Sequence, residues 1–156
     1  MHMHLIAVGN RMPAWIKEGF QEFNRRLSGE YRLDLVEIPP AKKSKSMSVE
    51  IARKQESDAI RRALPGNALV VVLEVQGRQF TSTSFALQLQ QWLVQGKEIC
   101  FVVGGADGLD DEIRESADLQ WSLSGMTLPH ALVRVLIAEQ VYRAWSILNH
   151  HPYHRE

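Results

Sequence analysis

The chain has 156 residues, 45% of them hydrophobic, and its 18 basic and 18 acidic side chains leave no formal net charge. That length suits one domain, 1–156, with a real core, and the charge balance excludes a globally basic nucleic-acid binder, so any such role must rest on a local patch. No run approaches the roughly 20 apolar residues of a membrane helix, MHMHLIAVGNR lacks the apolar core of a secretory signal, and the single cysteine, Cys100, cannot form an intramolecular disulfide; a cytoplasmic protein without a membrane partner is expected.

HLIAV (4–8) reads as a first strand. In 13–27, Trp15, Ile16, Gly19, Phe20, Phe23 and Leu27 recur near the 3.6-residue period of a helix, with Pro13 suited to its first turn. RLDLVEI (32–38) alternates as a strand does and is stopped by Pro39-Pro40. AKKSKSMS (41–48) is a basic, serine-rich loop, and 48–63 reads as a polar helix. ALVVVLEV (68–75) is almost continuously apolar, the pattern of a strand covered on both faces, and Gly77 punctuates it. A helix over 82–95 stops at Gly96, and EICFVV (98–103) is a second buried strand in which Cys100 serves as a small apolar residue. A glycine-rich turn and a short helix lead to a last strand, LQWSLS (119–124). Residues 129–148 form the longest helix.

No internal repeat or linker interrupts this alternation. It predicts an α/β fold: a mostly parallel sheet with helices on both faces. Ligands in such sheets bind beyond the carboxyl ends of the strands. The loops around Leu73, Gly104 and Ser124 are therefore where chemistry is expected.

VVGGADGL (102–109) sets three glycines between a buried strand and a helix, where they serve either a tight turn or close backbone approach to a ligand. It is not the GxGxxG of a dinucleotide site, and only VGNR follows the first strand, which disfavours an oxidoreductase. In SLSGMTLPHALVRV (122–135), Thr127 or Ser124 can cap the long helix and Pro129 fits its first turn. That helix start leaves backbone amides for a polar ligand. His130, Arg134, Glu139, Tyr142 and Arg143 follow as polar groups on the same helix. KKSK (42–45) and Arg25-Arg26 are either solvated cations or phosphate contacts. The terminal HHPYHRE (150–156) crowds three histidines around Pro152, which breaks any helical metal face. No metal site is expected.

The combination of VVGGADGL, WSLSGMTLPHALVRVLIAEQVYRAW and HPYHRE closely resembles the RlmH family, small bacterial ribosomal RNA methyltransferases of the SPOUT class. LIAVGNRMPAWIKEGFQEFNRRL and the EIPP segment with its basic loop resemble that family too, so the likeness spans the whole chain. It implies a SPOUT fold with a C-terminal trefoil knot. It also implies a homodimer that transfers a methyl group from S-adenosylmethionine to N3 of a pseudouridine in large-subunit (23S) rRNA, near the decoding centre of the assembled ribosome. No metal is implied. The implied cofactor-binding residues are Leu73 and Glu74, then Gly104 and Gly105, then Leu123, Ser124, Gly125, Met126, Thr127, Leu128 and Pro129.

Histidine ordinarily exchanges protons near neutrality, so His154 is a candidate base for the N3 proton. Tyr153 can stack on or bond the nucleobase, Arg155 can hold a phosphate or a developing oxyanion, and Arg134 is a second group that can orient the base. The expectation is a composite site in which the tail of one protomer reaches the cleft of the other. The alternatives are a SPOUT methyltransferase with a different RNA target and a non-catalytic ribosome-associated factor.

Overall fold

The computed structural model describes residues 2–42, 44 and 46–155. In chain order the elements are β1 (Met3–Val8), α1 (Ala14–Asn24), a 3-10 turn (Gly29–Tyr31), β2 (Leu33–Ile38), α2 (Val49–Ala63), β3 (Ala68–Gln79), α3 (Ser82–Val94), β4 (Glu98–Val103), α4 (Asp111–Ser116), β5 (Leu119–Ser122) and α5 (His130–Leu148). The sheet order is β2-β1-β4-β3-β5, and every pairing is parallel. The described residues thus form the α/β fold that the alternation of strands and helices predicts, with the β1 and β4 runs at its centre.

Side-chain alternation along those strands divides the core into two layers. Met3, Leu5 and Ala7 of β1 join Ile99 and Phe101 of β4 beneath α1, α3 and α5. Ile6 and Val8 join Cys100 and Val102 beneath α2 and α4. Cys100 is fully buried, and burial pushes its thiol up to about 12, so it acts as a small apolar residue. The aromatic centre of the first layer is Phe85 stacked on Trp121, ring centroids 4.5 Å apart.

Local chemistry sets the helix starts. Ser48, Thr81 and Asp110 each accept an amide three residues ahead, at 3.2, 3.0 and 2.9 Å, capping α2, α3 and α4. Two boundaries differ from the sequence reading by three residues or more. α1 ends at Asn24 rather than near Leu27, because the buried Asn24 side chain exchanges two hydrogen bonds with the backbone of Leu33, at 2.9 and 3.0 Å. β3 runs on through Gly77 to Gln79 instead of stopping before it. Leu73 and Arg78 both pair with Trp121, so the intervening residues bulge out of the ladder. Gly77 is required by close approach: a β-carbon there would lie 2.5 Å from the Gln120 carbonyl oxygen. Among the described residues no helix is long and apolar enough to cross a membrane.

Candidate functional site

The carboxyl ends of β3, β4 and β5 converge on a cleft of about 480 Å3. Three stretches far apart in sequence form its walls: 73–75, 103–109 and 123–130 without Gly125. Each is shaped by its own backbone chemistry. The first is the β3 bulge. The second turns where a β-carbon on Gly104 would come within 2.9 Å of Gly108, and it closes with the Gly108 amide donating to the Gly105 carbonyl at 3.0 Å. Gly108 has φ +76, a left-handed conformation that glycine adopts without strain. The third is folded by Ser122, which donates to the Ser124 carbonyl at 2.9 Å, and by the Met126 amide, which donates to the Ser124 hydroxyl at 2.9 Å.

Ten of the eleven expected cofactor residues line this cleft: Leu73, Glu74, Gly104, Gly105, Leu123, Ser124, Met126, Thr127, Leu128 and Pro129. Gly125 does not; it is exposed in the same loop, and a β-carbon there would meet only Gln79, at 3.8 Å. Neither Thr127 nor Ser124 caps α5. Pro129 is its N-cap residue, with no side-chain hydrogen bond, while the Ser124 hydroxyl is used inside its own loop. Trp121 and Val133 also line the cleft, as do Arg53, Val75, Arg114 and His130, whose placement there sequence reasoning missed. Arg53 comes from α2 and donates to the Asp107 carbonyl at 2.9 Å. Arg114 lies 3.7 Å from Glu74 across the polar side. No periodicity or motif marks these two, because they reach the cleft only through the crossing of the chain.

The cleft fits an adenosine-bearing ligand. Its volume is in the range of small-molecule sites. Apolar Leu73, Val103, Trp121, Leu128 and Val133 alternate with backbone polar groups of the two loops and the hydroxyls of Ser124 and Thr127.

Arg134 lies elsewhere. Its side chain is 1% exposed, paired with Glu37 at 2.7 Å and donating to the Gly9 carbonyl at 2.7 Å. It ties α5 to the carboxyl ends of β1 and β2. The expectation of a surface or base-orienting group therefore meets a buried tie, because an arginine taken from water must spend its donors on internal acceptors.

The tail is ordered and packed on its own helix. The His150 amide donates to the Ile147 carbonyl at 3.4 Å and the His151 amide to that of Ser146 at 2.8 Å, while His150 takes φ +54. This is a Schellman ending with histidine in the left-handed position glycine usually holds. The chain then folds back. The Tyr153 hydroxyl donates to Glu139 at 2.9 Å, its ring lies edge-on to Tyr142, and the Arg143 guanidinium sits 5.0 Å over it. Arg143 donates to the same Glu139 oxygen and lies 3.5 Å from Nδ1 of His154. Arg155 is exposed and donates to the Pro152 carbonyl at 3.3 Å. Burial, reinforced by Glu139, raises the Tyr153 phenol above its ordinary value, and the bond to Glu139 raises Arg143. Both hold their protons at neutral pH.

No described tail residue lines the cleft. Glu139, which holds the tail, lies nine residues up α5 from His130, about 14 Å at 1.5 Å per residue.

The family model described as "Predicted SPOUT methyltransferase" matches residues 1–154. The chain is 48% identical over 158 residues to Ribosomal RNA large subunit methyltransferase H of Thioalkalivibrio sulfidiphilus, covering all of both chains. It is 44% identical over 155 residues to the protein of that name from Marinomonas sp., covering 99% of this chain and 100% of that one. Among solved structures, a probable methylase family protein from Haemophilus influenzae superposes with a TM-score of 0.58 at 14% identity, covering 99% of this chain and 70% of that one. A putative methylase family protein from Neisseria gonorrhoeae gives 0.56 at 15%, covering 98% and 95%. Those two likenesses concern the fold alone. With a family model matched over nearly its whole length and relatives of nearly half-identical sequence, the chain belongs to the SPOUT methyltransferase family.

Proposed function

We propose that this protein is a homodimer that methylates N3 of a pseudouridine in large-subunit rRNA, using S-adenosylmethionine and acting on the assembled ribosome. The observation that carries this reading is the single cleft built from the carboxyl-end segments of β3, β4 and β5. The names of the relatives, which say large-subunit rRNA, support the substrate class.

S-adenosylmethionine supplies a methyl group already activated by its sulfonium charge. The protein's own task is to hold the donor, align N3 and take its proton. Leu73, Val103, Trp121, Leu128 and Val133 supply an apolar wall from which water is displaced, while the loop amides and hydroxyls fix orientation. Alignment of this kind supplies up to about 7–11 kcal/mol in well-oriented systems. His154 is the candidate base for that proton, with Tyr153 to stack on or bond the nucleobase and Arg155 to hold a phosphate or a developing oxyanion. They pack beside the middle of α5 and do not line their own cleft, which favours a contribution to the cleft of a second copy. The chain carries no formal net charge, so docking draws on the shape of the ribosome more than on bulk charge.

The test is methyl transfer from radiolabelled S-adenosylmethionine to ribosomes from cells lacking the enzyme, with the modified base mapped. Label at N3 of one pseudouridine is expected. Label at another base redirects the proposal to a different RNA target. Absence of both label and calorimetric binding of the donor leaves a non-catalytic factor.

A further inference from the structure

Helix α2 braces the cofactor wall along three of its turns. Arg53 donates to the Asp107 carbonyl at 2.9 Å, the Ser57 hydroxyl accepts the Asp110 amide at 3.3 Å, and Arg61 donates to both Asp110 carboxylate oxygens at 3.1 Å. Between these contacts lies Glu56, a carboxylate only 6% exposed. Its Oε2 accepts the Ala41 amide at 3.0 Å, at the start of the basic segment that continues with Lys42. Its Oε1 is buried and has no hydrogen-bond partner among the described residues. That oxygen lies against the back of the glycine turn. A β-carbon added at Gly105 would be 3.5 Å from it and 2.9 Å from a methyl of Val8. Gly105 itself lines the cleft from the other side.

A buried acceptor without a donor calls for an explanation in some state of the protein. We propose that Glu56 is a positioning residue that couples the segment starting at Ala41 to the cofactor wall at Gly105. When a ligand fills the cleft and presses on the glycine turn, an amide of that turn donates to Oε1. The carboxylate then holds both segments at once, and the Ala41 bond tightens. Coupling is reciprocal. Whatever settles the Ala41–Lys42 segment on its substrate therefore strengthens cofactor binding by the same factor. The glycine at 105 is explained by the same packing, since a β-carbon there would crowd a Val8 methyl at 2.9 Å and shift the turn that Glu56 lies against.

The inference rests on the cleft being the S-adenosylmethionine site, and the test separates the two. Amide exchange of Ala41 is measured in the full chain with and without S-adenosylmethionine, beside calorimetry of the same ligand. In the wild type, ligand is expected to slow Ala41 exchange by about tenfold, in the lower part of the usual range of coupling between sites. Glu56→Gln keeps a carbonyl for Ala41 and turns amide hydrogens toward Gly105. It should bind S-adenosylmethionine about tenfold more weakly and lose the ligand-dependent slowing. A residue that merely stabilises the fold would lower the unfolding midpoint and leave that slowing intact. Wild-type protein that binds the ligand without slowing Ala41, or Glu56→Gln that behaves as wild type, overturns the coupling. Wild-type protein that binds no S-adenosylmethionine overturns the reading of the cleft, and this inference with it.

Discussion

Tyr153 donates its phenolic hydrogen to Glu139 at 2.9 Å, locking a tail residue to the middle of α5. Arg143 donates to the same carboxylate oxygen, so one acceptor organises both the aromatic ring and the cation beside His154. A chain end usually frays for want of such partners. Here a Schellman ending, a carboxylate and the Tyr142 ring hold it in place.

Removing residues 153–156 should lower methylation of ribosomes by about 100-fold or more, the scale of one positioned proton-transfer group. Donor binding should stay within about twofold, because no described tail residue lines the cleft and Glu139 lies about 9 Å along α5 from Val133, the cleft residue on that helix nearest to it. Single-turnover kinetics with parallel calorimetry check this. Normal methylation by the truncated chain would remove the tail from the active site.

A composite site also predicts complementation. A chain lacking 153–156 and a full chain whose cleft is blocked by Thr127→Trp should each be inactive. Thr127 is exposed at the cleft rim, so the bulky residue fills the cleft without disturbing the core. Mixed and allowed to exchange subunits, the two should regain activity. A mixture as inactive as its components would place the tail and cleft in a different relation.

Glu37→Ala should destabilise the fold by about 3 kcal/mol, the lower part of the range for orphaning a buried charge. Arg134 is 1% exposed and would lose its carboxylate, keeping only the Gly9 and Val8 carbonyls. Urea unfolding measures this directly. A midpoint equal to wild type would show that the guanidinium reaches water in solution.

Two glycines of the β3–β5 side should respond oppositely to alanine. Gly77→Ala forces a β-carbon to 2.5 Å from the Gln120 carbonyl oxygen and should cost about 1–3 kcal/mol as overpacking. Gly125→Ala meets nothing nearer than 3.8 Å and should leave both stability and donor affinity unchanged. Thermal unfolding and calorimetry of the two variants test the contrast.

Asp110 links stability to acid. Burial raises its carboxyl, but the Ile113 amide and Arg61 outweigh that and hold it below its ordinary value. Because the folded value is the lower one, the contribution is complete above the unfolded value and is lost as pH falls through the folded one. The stability gap between wild type and Asp110→Asn should therefore be largest near neutrality and shrink below about pH 4. Urea titrations at several pH values decide it.

Much of this molecule was legible before folding. The continuous apolar runs of β3 and β4 marked strands covered on both faces, and the glycines at 104, 105 and 108 marked a turn, which lines the cleft. The loops around Leu73, Gly104 and Ser124 could be placed because strand ends in a parallel sheet gather on one side. The contribution of α2 was not legible. Arg53 and Glu56 sit in a polar helical stretch that looks solvated, and their partners lie about fifty residues away at Asp107 and Gly105. The extension of β3 through Gly77 was hidden for the same reason. A glycine reads as punctuation until the backbone that presses on it is known.

By itself the sequence determined the elements and the segments that meet at the cleft, because periodicity and glycine act over a few residues, whereas its one capping expectation, Thr127 or Ser124 on α5, failed. It also carried the family likeness, through the motifs from VVGGADGL to HPYHRE. Only the tertiary structure decided that Arg134 is a buried tie, that Tyr153 belongs to Glu139, and that Glu56 lies behind the glycine turn at Gly105. The physical reason is that charge, burial and hydrogen-bond satisfaction depend on neighbours brought together from distant parts of the chain, and those neighbours exist only once the sheet has closed.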